Sequence, residues 1–135
     1  MEDRYSVSKL LEVFMIRALA ERMSSGPHAS EPVILNCLNP GLCRSSLSRS
    51  FRGIQSYFFE VIKFLVARKT EVGGRTLVAA AEAGPESHGK YMSECQVGDP
   101  SPFVRSDEGE ETQERVYTEL MAILEKIQPG ISKNI

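Results

Sequence analysis

A chain of 135 residues with 41% apolar and 25% charged side chains has the size of one domain and can bury a modest core. Its net charge of -2 offers no basic surface for a phosphate backbone, which excludes nucleic acid as an expected partner. No apolar run approaches the length of a bilayer span, the opening Met-Glu-Asp-Arg is not a basic-then-apolar leader, and the three cysteines (Cys37, Cys43, Cys95) are odd in number and lack metal-ligand spacing. A cytoplasmic protein with reduced thiols, no bound metal and no membrane span is the expectation.

Residues 5–23 read as one helix, with Val7, Leu10, Leu11, Phe14 and Ala18 in its main apolar stripe and Val13, Ile16 and Leu19 widening it. A stripe that wide predicts burial on two sides, by a sheet and by another surface. Tyr5 and Lys9 lie four residues apart and therefore on the same face of that helix. An ammonium beside a phenol favours the phenolate, so the pair makes a proton donor and acceptor able to work closer to neutrality. Residues 24–32 are turn chemistry, and Val33 to Leu38 is a short apolar run that predicts an interior parallel strand ending at Asn39-Pro40-Gly41. A polar stretch then leads to an amphipathic helix over about residues 54–69, carrying Ile54, Tyr57, Phe58, Val61 and Leu65.

Residues 71–83 form an alanine-rich helix, weakened at its start by Gly73-Gly74 and stopped by Gly84-Pro85. Residues 89–95 alternate enough for a second strand, with Tyr91 and Met92 on opposite faces. The last helix, about 110–127, places Val116, Leu120, Ile123, Leu124 and Ile127 at helical spacing and has Asp107 with Glu110 as a capping pair. His28 and His88 lie in turn-forming stretches and read as loop histidines. The element order predicts an α/β fold of about four helices and two short parallel strands.

The segments Tyr5-Ser-Val-Ser-Lys9 and Asn36-Cys-Leu-Asn-Pro40-Gly41 resemble the short-chain dehydrogenase/reductase family. The runs Leu77-Val-Ala-Ala-Ala81 and Gly84-Pro-Glu-Ser-His-Gly-Lys-Tyr91 look like its fungal retinol-dehydrogenase-like members. The resemblance covers about residues 3–131 and corresponds to the C-terminal half of the family's pattern. It implies a single domain, 1–135, with an incomplete Rossmann-like fold. It also implies NADP or NAD as cofactor, a lipophilic ketone or alcohol as substrate, a place in fungal secondary metabolism, and oligomerisation with itself or a relative through helix 5–23. By that resemblance Tyr5 is the general acid/base, while Lys9 steadies the phenolate and holds the nicotinamide ribose. Pro40, Gly41 and Ser45 border the nicotinamide, Asn39 helps shape that wall, and Phe51 and Tyr57 line a substrate pocket.

The pattern is partial. Only four residues precede Tyr5, so the family's serine on the preceding strand has no counterpart, and no Gly-rich turn joins a strand to a helix. Weak dinucleotide binding by this chain alone follows. Two other readings stay open: a cofactor-independent isomerase, dehydratase or cyclase that moves protons with Tyr5 and Lys9, and a non-catalytic partner of a full-length dehydrogenase.

Overall fold

The structure is a computed structural model that describes residues 2–27, 29–30, 33–44, 64 and 66–135. The first helix, α1, runs Glu2–Ser25, longer at both ends than the apolar stripe alone predicts. Strand β1 is Cys37–Asn39, α2 is Thr70–Glu82, β2 is Tyr91–Ser93, β3 is Gln96–Gly98 and α3 is Asp107–Ile127. Short 3-10 turns at Pro85–Ser87, Phe103–Arg105 and Ile131–Asn134 join or follow them. The predicted helix at 54–69 falls almost wholly outside the described residues, which contain three α-helices rather than four.

The sheet has three strands in the order β1-β2-β3. β1 and β2 are parallel, Cys37 opposite Tyr91 and Asn39 opposite Ser93, and the crossover between them runs through α2. That parallel pair was expected; its bounds and its neighbour were not. Val33 to Asn36 do not join the ladder. There the Leu35 N–H donates to His88 Nδ1 at 3.1 Å and the Leu35 carbonyl accepts from Gly89 N at 2.7 Å, so regular pairing begins only at Cys37. The predicted strand 89–95 is instead a hairpin. β2 turns back at Glu94 and Cys95, both left-handed with φ of 55° and 62°, into the antiparallel β3.

Alternation along the strand assigns the layers. Asn36 Nδ2 reaches the Ala80 carbonyl of α2 at 2.9 Å, whereas the next residue, Cys37, faces Arg17 and Glu12 of α1. The sheet is thus sandwiched between α2 on one side and α1 with α3 on the other. α1 packs on α3 through an Arg17–Gln113 hydrogen bond and Arg22, which lies 3.8 Å above the Tyr117 ring and pairs with Glu114, and on the 3-10 turn before α3 through an edge-on Phe14–Phe103 contact at 6.1 Å. The buried apolar side chains among the described residues are Phe14, Ala18, Ala20, Ala67, Ala80, Met92 and Val104. Among the described residues, burial on α1 is confined to its C-terminal half: Val7 and Leu11 stay exposed, so the burial predicted for two sides of the helix does not reach its start.

Helix α3 begins one residue earlier than the acidic pair implied. Its N-cap is Ser106, whose Oγ accepts from Gly109 N at 3.2 Å, and Asp107, Glu108 and Glu110 fill the first turn, where their charge meets the helix dipole favourably. His88 is a bridge rather than a free loop residue. Its Nδ1 accepts from Leu35, so Nε2 carries the proton and donates to the Ala20 carbonyl at 3.0 Å, tying β1 to the end of α1. His28 lies outside the described residues. No helix among the described residues is long and apolar enough to cross a membrane.

Candidate active site

Two contacts give the direction of α1 over the sheet. Ala20 meets His88 and Gly89 where β1 and β2 are entered, while the charges that act on Cys37 of β1 come from Arg17 and, more weakly, Glu12, both nearer the N-terminus of α1. Moving toward the N-terminus of α1 therefore means moving toward the carboxyl ends of the parallel strands. Tyr5 lies seven residues beyond Glu12, about 10 Å along the axis at 1.5 Å per residue. Tyr5 and Lys9 thus stand at the end of the sheet where open α/β folds take their ligands.

The helical spacing brings the two together as expected: Lys9 Nζ is 5.8 Å from the centre of the Tyr5 ring, and Tyr5 is 51% exposed. The ammonium does not stand free. It donates to both Glu12 oxygens, at 2.8 and 2.9 Å. These bonds hold the Lys9 pKa above its ordinary value; desolvation opposes them, and the nearby Glu12 and Tyr5 charges add smaller contributions in the same upward direction. Glu12 is the residue the sequence reading passed over. Its signal was an opposite charge three positions from Lys9 on a helix.

Asn39, Pro40 and Gly41 leave β1 at the same end. The Asn39 side chain accepts from Gly41 N at 2.9 Å, and Gly41 takes φ of 73°, a left-handed turn that suits glycine. The turn is clamped from behind. Arg68 N donates to the Leu42 carbonyl and Arg44 N to the Arg68 carbonyl, both at 2.9 Å, while the Arg68 guanidinium lies along Gly41 and donates to both Glu94 oxygens at 2.7 and 2.6 Å. Nothing local in sequence links Arg68 to Gly41. No hydrogen bond among the described residues joins Lys9 to the 39–41 turn, so they share an end of the sheet without touching through polar atoms. Ser45, Phe51 and Tyr57 lie outside the described residues.

The described residues do not form a cradle for a whole dinucleotide. Gly73 at the start of α2 is filled by the Cys43 side chain, and Gly74 faces open space. A pyrophosphate needs converging backbone donors at a helix that follows a strand directly, and α2 does not: β1 ends at Asn39 and α2 starts at Thr70, although the two ends are close in space.

With this geometry in hand, the chain is 52% identical over 133 residues to the short chain dehydrogenase/reductase dmxR8 of Cryptosporiopsis sp. (strain 8999), a match covering 98% of this chain and 39% of that protein. The chain belongs to the short-chain dehydrogenase/reductase family. It is also 44% identical to the short-chain dehydrogenase anuD of Penicillium roqueforti, over 97% of this chain and 35% of that protein, and 34% identical to the short chain dehydrogenase FGM9 of Gibberella zeae, over 97% and 38%. The chain therefore spans 35–39% of the length of these dehydrogenase relatives, in keeping with the C-terminal half its motifs resemble. No family profile matches the chain, and no solved structure matches it. As a dehydrogenase-family segment it has the expected kind of fold: a parallel β1–β2 pair joined by a helical crossover and covered on both faces.

Proposed function

We propose that this chain carries the acid–base half of an NAD(P)-dependent oxidoreductase acting on a lipophilic ketone or alcohol in fungal secondary metabolism. The single observation behind the reading is that Tyr5 and Lys9 share one face of α1, with the Lys9 ammonium 5.8 Å from the centre of an exposed Tyr5 ring, in the half of α1 that leads away from the entry to the parallel strands. In this role the Tyr5 hydroxyl gives its proton to a carbonyl oxygen in reduction, or takes one from an alcohol in oxidation. Lys9 supplies the positive charge that favours the phenolate, and Glu12 sets where that charge sits. Pro40 and Gly41 border the nicotinamide end, joined by Ser45, while Phe51 and Tyr57 favour apolar substrates. The dinucleotide supplies the hydride, and its pyrophosphate is bound by residues outside this chain. The locale is the cytoplasm, and self-association or pairing with a relative uses the exposed N-terminal half of α1.

The test is reconstitution. The chain is co-expressed with the remaining N-terminal portion of a relative such as dmxR8, and NADPH oxidation is followed with a panel of apolar ketones. Activity that falls by about 10²–10⁴-fold in Tyr5→Phe supports the assignment. Turnover that survives Tyr5→Phe removes Tyr5 from the chemistry, and turnover without NADPH moves the reading to a proton-transfer enzyme.

A further inference from the structure

At the other end of the sheet, the C-terminal half of α1, the middle of α3 and the β2–β3 hairpin enclose an open cleft of about 640 Å³. Arg17, the lining residue of α1 nearest Tyr5, is twelve residues from it, about 18 Å along the helix. Three elements each contribute a cation: Arg17 on α1, Lys90 at the entry to β2 and Arg105 in the turn before α3. Arg17 is anchored from beneath, since its Nε donates at 2.9 Å to Oε1 of Gln113, itself only 4% exposed. Among the described residues its two terminal nitrogens donate to nothing, and Lys90 makes no ion pair. Arg105 is only loosely matched, 3.7 Å from Asp99. The carboxylates on the lining are Glu21 and Asp99, so cations outnumber anions by three to two. His88 keeps both ring nitrogens in its bridge and adds no further donor.

We propose that this cleft binds a small, multiply charged oxyanion, a phosphoester or an organic di- or tricarboxylate. An anchored guanidinium offers paired N–H donors to such a group, Lys90 adds an uncommitted charge, and the volume lies within the range of small-ligand sites. The site is separate from Tyr5 and Lys9. It lies between α1, α3 and the β3 side of the sheet, so further strands joined at β1, the opposite edge, leave it open.

The experiment is calorimetric titration of the 135-residue chain at low ionic strength, once with inorganic pyrophosphate and once with citrate. A saturable one-to-one isotherm is expected with at least one of them, the tighter identifying the phosphate or the carboxylate source. Lys90→Gln and Arg105→Gln, both at exposed positions, should each weaken it about tenfold, the worth of one charge-assisted hydrogen bond. Tyr5→Phe should leave it unchanged, which separates this site from the proposed catalytic one. Absence of saturation with both anions, or binding that is the same in the wild type and both cleft variants, overturns the proposal.

Discussion

The packing of Gly73 against Cys43 is the contact that joins the Pro40-Gly41 turn to α2, and it makes a sharp comparison between adjacent glycines. A Cβ built on Gly73 runs into Cys43 Sγ, with Pro40 Cβ next at 3.8 Å, whereas one built on Gly74 meets nothing within 4 Å. Both positions lie inside α2, as its fourth and fifth residues, so alanine at either gains a similar helical preference, about 0.5–1 kcal/mol. Only at position 73 is that gain opposed by overpacking, which costs about 1–3 kcal/mol. Cys43 can relieve the overlap by rotating, but then its thiol leaves the Pro40 carbonyl, to which it donates at 3.4 Å. Gly74→Ala should therefore raise the urea midpoint, and Gly73→Ala should fall below it by about 1–3 kcal/mol at unchanged slope. Adding Cys43→Ala to Gly73→Ala should restore most of the difference, with a coupling of about 0.5–3 kcal/mol in the double-mutant cycle. Denaturation followed by far-UV circular dichroism reads all four proteins. Equal stabilisation by the two glycine substitutions would refute the packing argument.

Three further outcomes follow from the same geometry. His88→Ala strips partners from the Leu35 N–H and the Ala20 carbonyl and should cost about 1–3 kcal/mol in urea denaturation, with His88→Gln recovering part of it. Gly109→Ala should destabilise by about 1–3 kcal/mol or more, because its Cβ would strike the Phe103 carbonyl oxygen at the start of α3; a loss within 0.5 kcal/mol, roughly the range of a neutral surface change, would count against the close approach. For Cys37, burial first, with Glu12 adding and Arg17 and a backbone hydrogen bond opposing, raises the thiol pKa. The fold therefore favours the protonated form: this contribution is present below the ordinary thiol pKa and is lost as pH rises through the raised one. Iodoacetamide at mildly alkaline pH should accordingly label exposed Cys95 before Cys37, with the gap closing as pH climbs, and mass spectrometry of the digest reads the order.

How much of this could be read from the residues depends on whether the controlling contact was local. Periodicity exposed α3 because its apolar residues recur at helical spacing, whereas α1 is apolar around much of its circumference and was legible from the length of its apolar stretch; the Tyr5–Lys9 pair followed from helical spacing along it. The β2–β3 hairpin was hidden because its turn residues are Glu94 and Cys95 rather than Asn-Gly. Their left-handed backbones cost about 1–2 kcal/mol each, and Glu94 is fixed there by Arg68, a partner 26 residues away. Val33 to Leu35 look like strand because they are apolar, but His88 captures the Leu35 N–H that a ladder would need. Ser106 was overlooked as a cap because Asp107 and Glu110 offered the same spacing one residue later.

The edge of β1 ties the two halves of the reading together. A parallel strand covered by α1 on one face and α2 on the other is ordinarily interior, yet among the described residues β1 pairs only with β2. Its outer row of N–H and C=O groups is a template for one more parallel strand. The buried apolar set points the same way, since four of its seven members are alanines and the large side chains of the first turns of α1, Tyr5, Val7 and Leu11, are exposed. A strand laid against β1 would run in the same direction as β1 and end beside Asn39, on the side of the sheet overlain by the N-terminal half of α1. Its carboxyl end would then face Tyr5 and Lys9. On the proposed reading the Tyr5–Lys9 pair would lie close to that seam, and a strand that satisfied the β1 edge would bring further groups toward the phenol.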